Sequence, residues 1–503
     1  MKMKRMLAVL LLLAMLMTGC QRQAADHAPA TTLPSSTETQ PMEPTPTQPT
    51  ETEPTQPTET EPTQPPEPVW TGYESPKAEY VYFHDSGREL EWEEDILYFA
   101  NNLMREHPVV LDENWIVQLP GYGSTGENFY EPQVKEEMLR QINDLIPRLE
   151  ELTDDEILYS LKRIIALFHD VHTRVEYHVE EYFPIVFMPI REEAGWVFYV
   201  VSLEKDKEDL LYTKLAAING YSVEEVMDKI RPFVPCETEY VLIHSLAGAG
   251  LASHEYLCAR GMLVAAGVIA EEDSQTVYTL TDAEGNTHDL SLEAEGSLPP
   301  GMVGKWGEEV YTVPMAGWHE KNYWFTEALA EDTLYVRFNS FSVQPDYTYL
   351  QLSADIRRAY SARGSYDKVI VDLRFNGGGY IHSGYEGLIT LFGSIQCEEF
   401  YVLINGTSYS QSIIFAAELL HVRGDKAKLV GEPSGEAGGF FASIWTGEYV
   451  MPNCQVEFTI PTVYFLMFPT EDGNVIHPDI TLYPTMEDYI SGVDTVLQYL
   501  FSL

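Results

Sequence analysis

The sequence predicts a mixed α/β protein with a helical N-terminal region, a β-rich middle and a C-terminal sheet covered by helices. Three observations predict it. Residues 90–168 carry the apolar spacing of helices, residues 196–325 are rich in strand and hairpin signals, and from Thr333 strand-like runs alternate with helical ones. A chain of 503 residues with 45% hydrophobic and 12% aromatic content is long enough for two or three buried cores.

The first 69 residues have a different character. Lys2, Lys4 and Arg5 precede an apolar run from Met6 to Met17, too short to span a bilayer, and Thr18-Gly19 leads into Cys20. This resembles a bacterial lipobox, with Met17 where Leu is more usual. The resemblance implies a signal peptide over 1–20, cut before Cys20, whose thiol then carries lipid. An ordinary secretory signal with a chance cysteine is the alternative. No later segment approaches about 18 uninterrupted apolar residues, so the expected attachment is an acyl anchor on the outer face of the cell membrane. Residues 21–69 are mostly Pro, Thr, Glu and Gln and repeat Pro-Thr-Glu-Thr-Glu-Pro-Thr-Gln at 49–56 and 57–64. Such a segment cannot bury a core and is expected as a disordered, extended stalk.

A formal net charge of −47, from 31 Lys and Arg against 78 Asp and Glu, repels phosphate backbones, so nucleic acid is not an expected partner. Beyond Cys20, the cysteines at 236, 258, 397 and 454 match neither a zinc spacing nor a disulfide framework. Cys236 and Cys258 are the nearest candidate pair, and free buried thiols are the alternative.

Within residues 70–195, Leu90 to His107 and Gln133 to Leu149 read as helices. A third starts at Thr153, which forms a capping box with Glu156 ahead of Ile157, Leu158, Leu161, Ile164, Ile165 and Phe168. It runs out near His169, just before Asp170-Val171-His172-Thr173. Strand-like runs, Tyr182 to Pro189 and Val197 to Leu203, follow. In the middle region, 196–325, Leu215 to Gly220 and Val223 to Ile230 read as strand, turn and helix, and resemble the end of a degenerate PDZ domain. Val277 to Leu280 and His288 to Leu292 flank a turn at Ala283-Glu284-Gly285-Asn286 and read as a hairpin.

The last region, 326–503, alternates. Strands are expected at Leu334 to Phe338, Lys368 to Leu373, Phe400 to Ile404 and Ala427 to Val430, with helices at Tyr349 to Ala362, Gly384 to Phe392 and Gln411 to Leu420. Active sites on such sheets lie at loops leaving strand ends. One such loop is Asp372-Leu373-Arg374-Phe375-Asn376-Gly377-Gly378-Gly379. Its glycines permit positive φ and leave amide N–H groups bare, as an oxyanion-holding nest requires. It lacks the Lys-Ser/Thr of a phosphate loop and G-x-G-x-x-G spacing, which argues against nucleotide; a bare glycine turn is the plainer alternative. The other loop, Asn405-Gly406-Thr407-Ser408-Tyr409-Ser410-Gln411-Ser412, hands a strand over to a helix. A serine there sits at the positive end of the helix dipole, beside an N–H able to meet an oxyanion, although helix capping alone also favours serine.

Together with Val430-Gly431-Glu432-Pro433 and Pro478-Asp479-Ile480, these two loops resemble the S41 serine peptidases, which include the C-terminal processing and tricorn proteases. The resemblance covers about Thr333 to Tyr483. It implies a crotonase/ClpP-like α/β peptidase core and serine-type hydrolysis of peptides. It also places the nucleophile at Ser410, Ser408 in the turn and Ser412 in the first helical turn, with Ile413 where the family often has Glu. Amides of Gly377, Gly378 and Gln411 would then receive the oxyanion. Ala437 stands where the processing proteases carry a basic lysine. Members without that lysine carry Asp-Gly-His-Thr, which Asp170-Val171-His172-Thr173 resembles, so His172 is the expected base and His169 its nearest rival. Imidazole ionises near pH 6.5 in general, which suits proton transfer at neutral pH. The carboxylate partner is placed near Glu471 or Asp472, with Asp170 read as a turn acceptor.

The expected protein is a lipid-anchored extracytoplasmic serine peptidase, acting on peptide or protein substrates through an acyl-enzyme and needing no cofactor. Metal is not expected, because His172 lacks partners at H-E-x-x-H spacing. A non-catalytic, surface-tethered peptide-binding protein on the same fold is the alternative, and an esterase using the same residues is a third reading.

Overall fold

Among the described residues, three helices come first: α1 Arg88–Glu106, α2 Pro132–Leu145 and α3 Asp154–Ala166. The computed structural model describes residues 87–111, 129–176, 181–247, 256–296, 302–304, 321–442, 448–468 and 475–503. The expected signal 1–20 with Cys20, the stalk 21–69, and Glu471 and Asp472 lie outside these residues. Thr153 caps α3 as its spacing predicts, accepting the Glu156 N–H while the Glu156 carboxylate accepts that of Thr153. One face of α3 buries Ile157, Leu161, Ile164 and Ile165. The helix ends at Ala166, and His169, with φ of 49°, turns the chain into the Asp170–Thr173 loop and strand β1, Arg174–Val175.

The middle region is built on an antiparallel sheet. Its strands are β2 Ile185–Glu192, β3 Gly195–Glu204, β4 Lys214–Ile218, β5 Tyr221–Ser222, β6 Gln275–Thr281, β7 Thr287–Glu293 and β8 Met302–Gly304. They run in the order β2-β3-β4-β6-β7, with β5 on β4 and β8 on β3. The expected hairpin is β6–β7, and its inward residues Tyr278, Leu280, Leu290 and Leu292 share a core with Phe187, Phe198 and Val200. Helices α4 Val223–Ile230, α5 Glu239–Leu246 and α6 Arg260–Ala265 pack on it. Ser222 and Glu225 form a second capping box, at the start of α4.

From residue 323 the βα alternation appears as β9 Tyr323–Thr326, β10 Thr333–Phe338, α7 Tyr349–Arg363, β11 Tyr366–Asp372, α8 Tyr385–Ser394, β12 Cys397–Ile404, α9 Gln411–Arg423 and β13 Ala427–Gly431. Short strands β14 Gly439–Ala442, β15 Glu448–Val450, β16 Glu457–Thr459, β17 Val463–Leu466 and β18 Ile480–Thr481 follow, then α10 Met486–Ser491 and α11 Thr495–Ser502. The main sheet has the order β18-β13-β12-β11-β10-β9; β9 alone is antiparallel to its neighbour. Alternation along each strand divides the side chains between two faces. Val336, Phe338, Val369, Val371, Val402 and Ile404 meet the helices α7, α8 and α9. Tyr335, Ile370, Tyr401 and Leu403 face the other way, onto Val496, Leu497 and Leu500 of α11.

Two small sheets matter for the site. β14 pairs with β17, and β16 pairs with both β15 and β1, which brings the segment after α3 onto the C-terminal region. The four described cysteines are free thiols, so the candidate Cys236–Cys258 bridge is not formed. Among the described residues no helix is long and apolar enough to cross a membrane.

Candidate active site

The three serines of the strand-to-helix turn have separate environments. Ser408 is fully buried; its hydroxyl donates to Leu373 O at 2.9 Å and accepts the Asn405 N–H at 3.0 Å. The Ser412 hydroxyl, also buried, donates to Tyr409 O at 2.8 Å. Ser410 is half-buried and makes no side-chain capping bond. Its backbone has φ 51° and ψ −121°, in a region that side-chain-bearing residues seldom occupy. The chain thus makes a sharp elbow between strand and helix, a geometry suited to presenting a side chain above a sheet. Asn405 sustains the turn, its Oδ1 accepting from Phe375 N–H at 2.9 Å and from the Thr407 hydroxyl at 3.0 Å.

The glycine loop meets this elbow directly. A Cβ on Gly378, where φ is 98°, would lie 2.7 Å from Ser410 Cβ and 2.9 Å from Gln411 N. Only glycine allows that approach. Asp372 anchors the start of the loop: buried, it accepts from Arg374 at 2.6 Å, Arg337 at 2.9 Å and the Tyr335 hydroxyl at 2.7 Å. Burial alone would raise its carboxyl, but the Arg374 and Arg337 charges hold it down at about 2. Asp-x-Arg is therefore a structural pin. Asn376 O accepts the Tyr409 N–H at 3.0 Å, tying the two loops together.

The expected oxyanion donors divide. The Gly378 N–H is bonded to Asn376 Oδ1 at 2.8 Å, so Gly378 serves the site through its missing side chain. Of the other two, Gln411 follows Ser410 in the chain and is the first residue of α9, where the helix itself offers no acceptor, and Gly377 precedes Gly378 in the glycine loop.

His172 stands beside the elbow. Its ring centroid lies 5.5 Å from that of Tyr409, the residue before Ser410, and 5.9 Å from that of Phe440, with which it stacks. The Thr459 hydroxyl of β16 donates to His172 O at 2.6 Å, holding the loop on the C-terminal region. His169 is left at the helix end with positive φ. Asp170 does more than a turn acceptor requires. Oδ2 accepts from the Thr173 hydroxyl at 2.6 Å, Oδ1 accepts from His172 N–H at 3.2 Å, and Oδ1 also faces His172 Nδ1 at 3.7 Å. Burial opposes its ionisation, but hydrogen bonding and charge from His172, with His107 behind, hold its carboxyl below the ordinary value. Asp170 is thus a described carboxylate that faces the His172 ring.

Sequence motifs did not point to two further acids. Glu436, fully buried beside Ala437, accepts the Ser410 N–H through Oε2 at 2.6 Å. Glu237, immediately ahead of α5, accepts the Val171 N–H through Oε1 at 3.0 Å and the Tyr409 hydroxyl through Oε2. Burial, and then a neighbouring acid, push both carboxyls well above the usual range: Asp170 acts on Glu237, and Glu237 on Glu436. Nothing in their spacing along the chain marked them, because the fold gathers them from three distant segments.

Asp170, His172 and Glu237 also present one donor atom each within 4.8 Å of one another, the arrangement a cation could use. All four carboxylate oxygens already accept a protein N–H or O–H, as described above. The group is satisfied as a hydrogen-bond network.

No protein-family model matches the chain, and no curated protein matches it in sequence. Solved structures do resemble it. Mature CPAF complexed with lactacystin is 13% identical, with a TM-score of 0.52, the match covering 82% of this chain and 98% of that one. Mature CPAF alone gives 12% identity and a TM-score of 0.51 over 82% and 96%. The photosystem II D1 C-terminal processing protease is 11% identical over 79% and 93%, with a TM-score of 0.33, too low to bear on the fold. At such identities the likeness concerns architecture. The chain shares the fold of mature CPAF, and the mixed α/β core expected from its S41-like loops is the one observed.

Proposed function

We propose that the chain is a serine peptidase in which Ser410 attacks a peptide carbonyl and His172 takes the serine proton. The observation that carries this reading is the Ser410 elbow, strained at φ 51° and ψ −121°, with Gly378 packed bare against its Cβ. A helix cap needs neither feature. In the proposed reaction the Gly377 and Gln411 amides receive the oxyanion, His172 returns its proton to the leaving amine, and water deacylates Ser410. Asp170 steadies the imidazolium that forms in each half-reaction.

We further propose export and lipid attachment at Cys20, on the strength of the basic, apolar and small-residue sequence ahead of it. The stalk would then hold the peptidase away from the membrane. Cys20→Ser should move the protein from the membrane fraction to the soluble one and abolish incorporation of labelled fatty acid; membrane retention with unchanged labelling contradicts the anchor.

The function is tested by peptide turnover. The unaltered protein should cleave a mixed peptide library, and Ser410→Ala should cleave nothing. Turnover of simple esters without any peptide cleavage would favour the esterase reading. No turnover of either would favour a peptide-binding protein.

A further inference from the structure

Helix α5 serves two parts of the molecule. Leu242, Ile243 and Leu246 are buried in the core of the middle region, while the residues at its start reach the catalytic loops. The Thr238 hydroxyl, fully enclosed, donates to Gly435 O at 2.8 Å, next to the Glu436 that holds the Ser410 amide. Val241 joins Val171 and Tyr409 in a small apolar cluster, with Cys236 packed against it. His244 lies so close beneath the nucleophile turn that a Cβ on Gly406 would come within 2.3 Å of its ring.

Glu237 stands where these contacts converge. One of its oxygens accepts the N–H of Val171, the neighbour of His172, and the other accepts the hydroxyl of Tyr409, the neighbour of Ser410. Resting on the assignment of Ser410 and His172 above, we propose that Glu237 is a positioning residue that holds the base loop and the nucleophile elbow in catalytic register. The base loop follows α3 near residue 170 and the elbow follows β12 near residue 409, so no local chain connection fixes their separation. A carboxyl group bridging both does so, from a segment rooted in the middle region. Burial and then the charge of the nearby Asp170 push this carboxyl well above the usual range.

The geometry limits which substitutions preserve this bridge. Glutamine keeps one carbonyl acceptor and replaces the other by an NH2 donor. It can therefore accept the Val171 N–H while presenting its amide to the Tyr409 oxygen, whereas alanine loses both arms. Tyr409→Phe removes the Tyr409 arm alone and leaves the aromatic packing on His172. Neither Glu237 nor the Tyr409 hydroxyl touches the reacting atoms, so loss of the bridge should change the rate of chemistry more than substrate binding.

The test uses the full chain with a fluorophosphonate probe and a cleaved peptide substrate, with circular dichroism to verify folding. Glu237→Ala should label Ser410 on the order of 100-fold more slowly, lowering kcat with KM changed by less than about threefold. Glu237→Gln should recover at least about tenfold of that loss. Tyr409→Phe should slow labelling by roughly tenfold alone and add little in the Glu237→Ala background, since both remove the same bridge. A folded Glu237→Ala protein that labels at the unaltered rate overturns the proposal. So do fully additive effects of Glu237→Ala and Tyr409→Phe. If Glu237→Ala does not fold, Tyr409→Phe decides alone: a labelling rate equal to the unaltered protein's overturns the bridge. Failure of the unaltered chain itself to label is a different result, which removes the serine-peptidase reading and the bridge with it.

Discussion

Glu436 Oε2 accepts the backbone N–H of Ser410 at 2.6 Å, so a buried acid from the loop after β13 holds the Ser410 elbow in place. Its other oxygen has no hydrogen-bond partner among the described residues. Three acids meet near this elbow, yet they are not equally charged. Asp170 is held low by its histidine neighbours, whereas burial pushes Glu237 and Glu436 up, helped by Asp170 at Glu237 and by Glu237 at Glu436. Ionisation is therefore favoured at Asp170 over the other two acids.

This gives Glu436 a pH-dependent effect on stability. A carboxyl raised by folding keeps its proton after the unfolded chain has lost it, so stability falls as pH rises from about 4.5 toward the folded value. Glu436→Gln retains the acceptor for Ser410 and removes that loss. Thermal unfolding should show the variant more stable than the unaltered chain at pH 8 but not at pH 4. Glu436→Ala leaves the Ser410 amide unpaired and should cost about 1–3 kcal/mol at pH 4, and less at pH 8, where it also removes the loss that comes from ionising the buried carboxyl.

His107 has the opposite effect at the acid end. It is fully buried, its Nε2 lies 2.8 Å from the Thr173 hydroxyl, and burial lowers it from 6.5 to about 4 despite the Asp170 charge. Below about pH 6.5 the unfolded chain takes up a proton that the folded one refuses. Stability should fall progressively between pH 6.5 and 4, by on the order of 3 kcal/mol from this residue. Denaturant unfolding across that range should show a shallower slope in His107→Gln.

Asp170 provides the catalytic counterpart. Asp170→Asn removes the charge that faces His172 and leaves one acceptor for the Thr173 hydroxyl and the His172 N–H. Peptide turnover should drop by at least about 100-fold with KM little changed. Equal loss in kcat and gain in KM would mean that Asp170 shapes the substrate site instead.

Gly378 tests the elbow sterically. Gly378→Ala must accept φ 98° and a Cβ 2.7 Å from that of Ser410, a strain of roughly 2 kcal/mol or more and a displaced nucleophile. Gly285→Ala is the control, at φ 85° with no atom within 4 Å of the added Cβ. It should cost about 1 kcal/mol and leave activity intact. Activity that survives Gly378→Ala would show that the loop need not touch the elbow.

Much of this was legible in the sequence, for identifiable reasons. Each βα unit after residue 333 is local, with strand and helix periods that change at turn residues, and the observed elements match the expected ones within about four residues. The capping box at Thr153 is likewise a four-residue signal. The singling out of Ser410 from Ser408 and Ser412 rests on the S41 resemblance, since all three are the same residue type within one turn. The role of α11 in covering the second sheet face was not assigned, because its eight residues show no pattern that names a partner. Glu237 and Glu436 were missed for a stronger reason: a buried acid carries no sequence mark until distant segments assemble around it. Gly378 was read as an amide donor, but its N–H is turned to Asn376 Oδ1, a choice set by one side-chain hydrogen bond.

Whether Ser410 is an activated nucleophile is decided by treating the protein with a fluorophosphonate and locating the adduct by peptide mass spectrometry. One modified serine, Ser410, is expected, with labelling abolished in Ser410→Ala and greatly slowed in His172→Ala. Labelling that persists in Ser410→Ala, or a folded unaltered protein that is never labelled, would contradict that role.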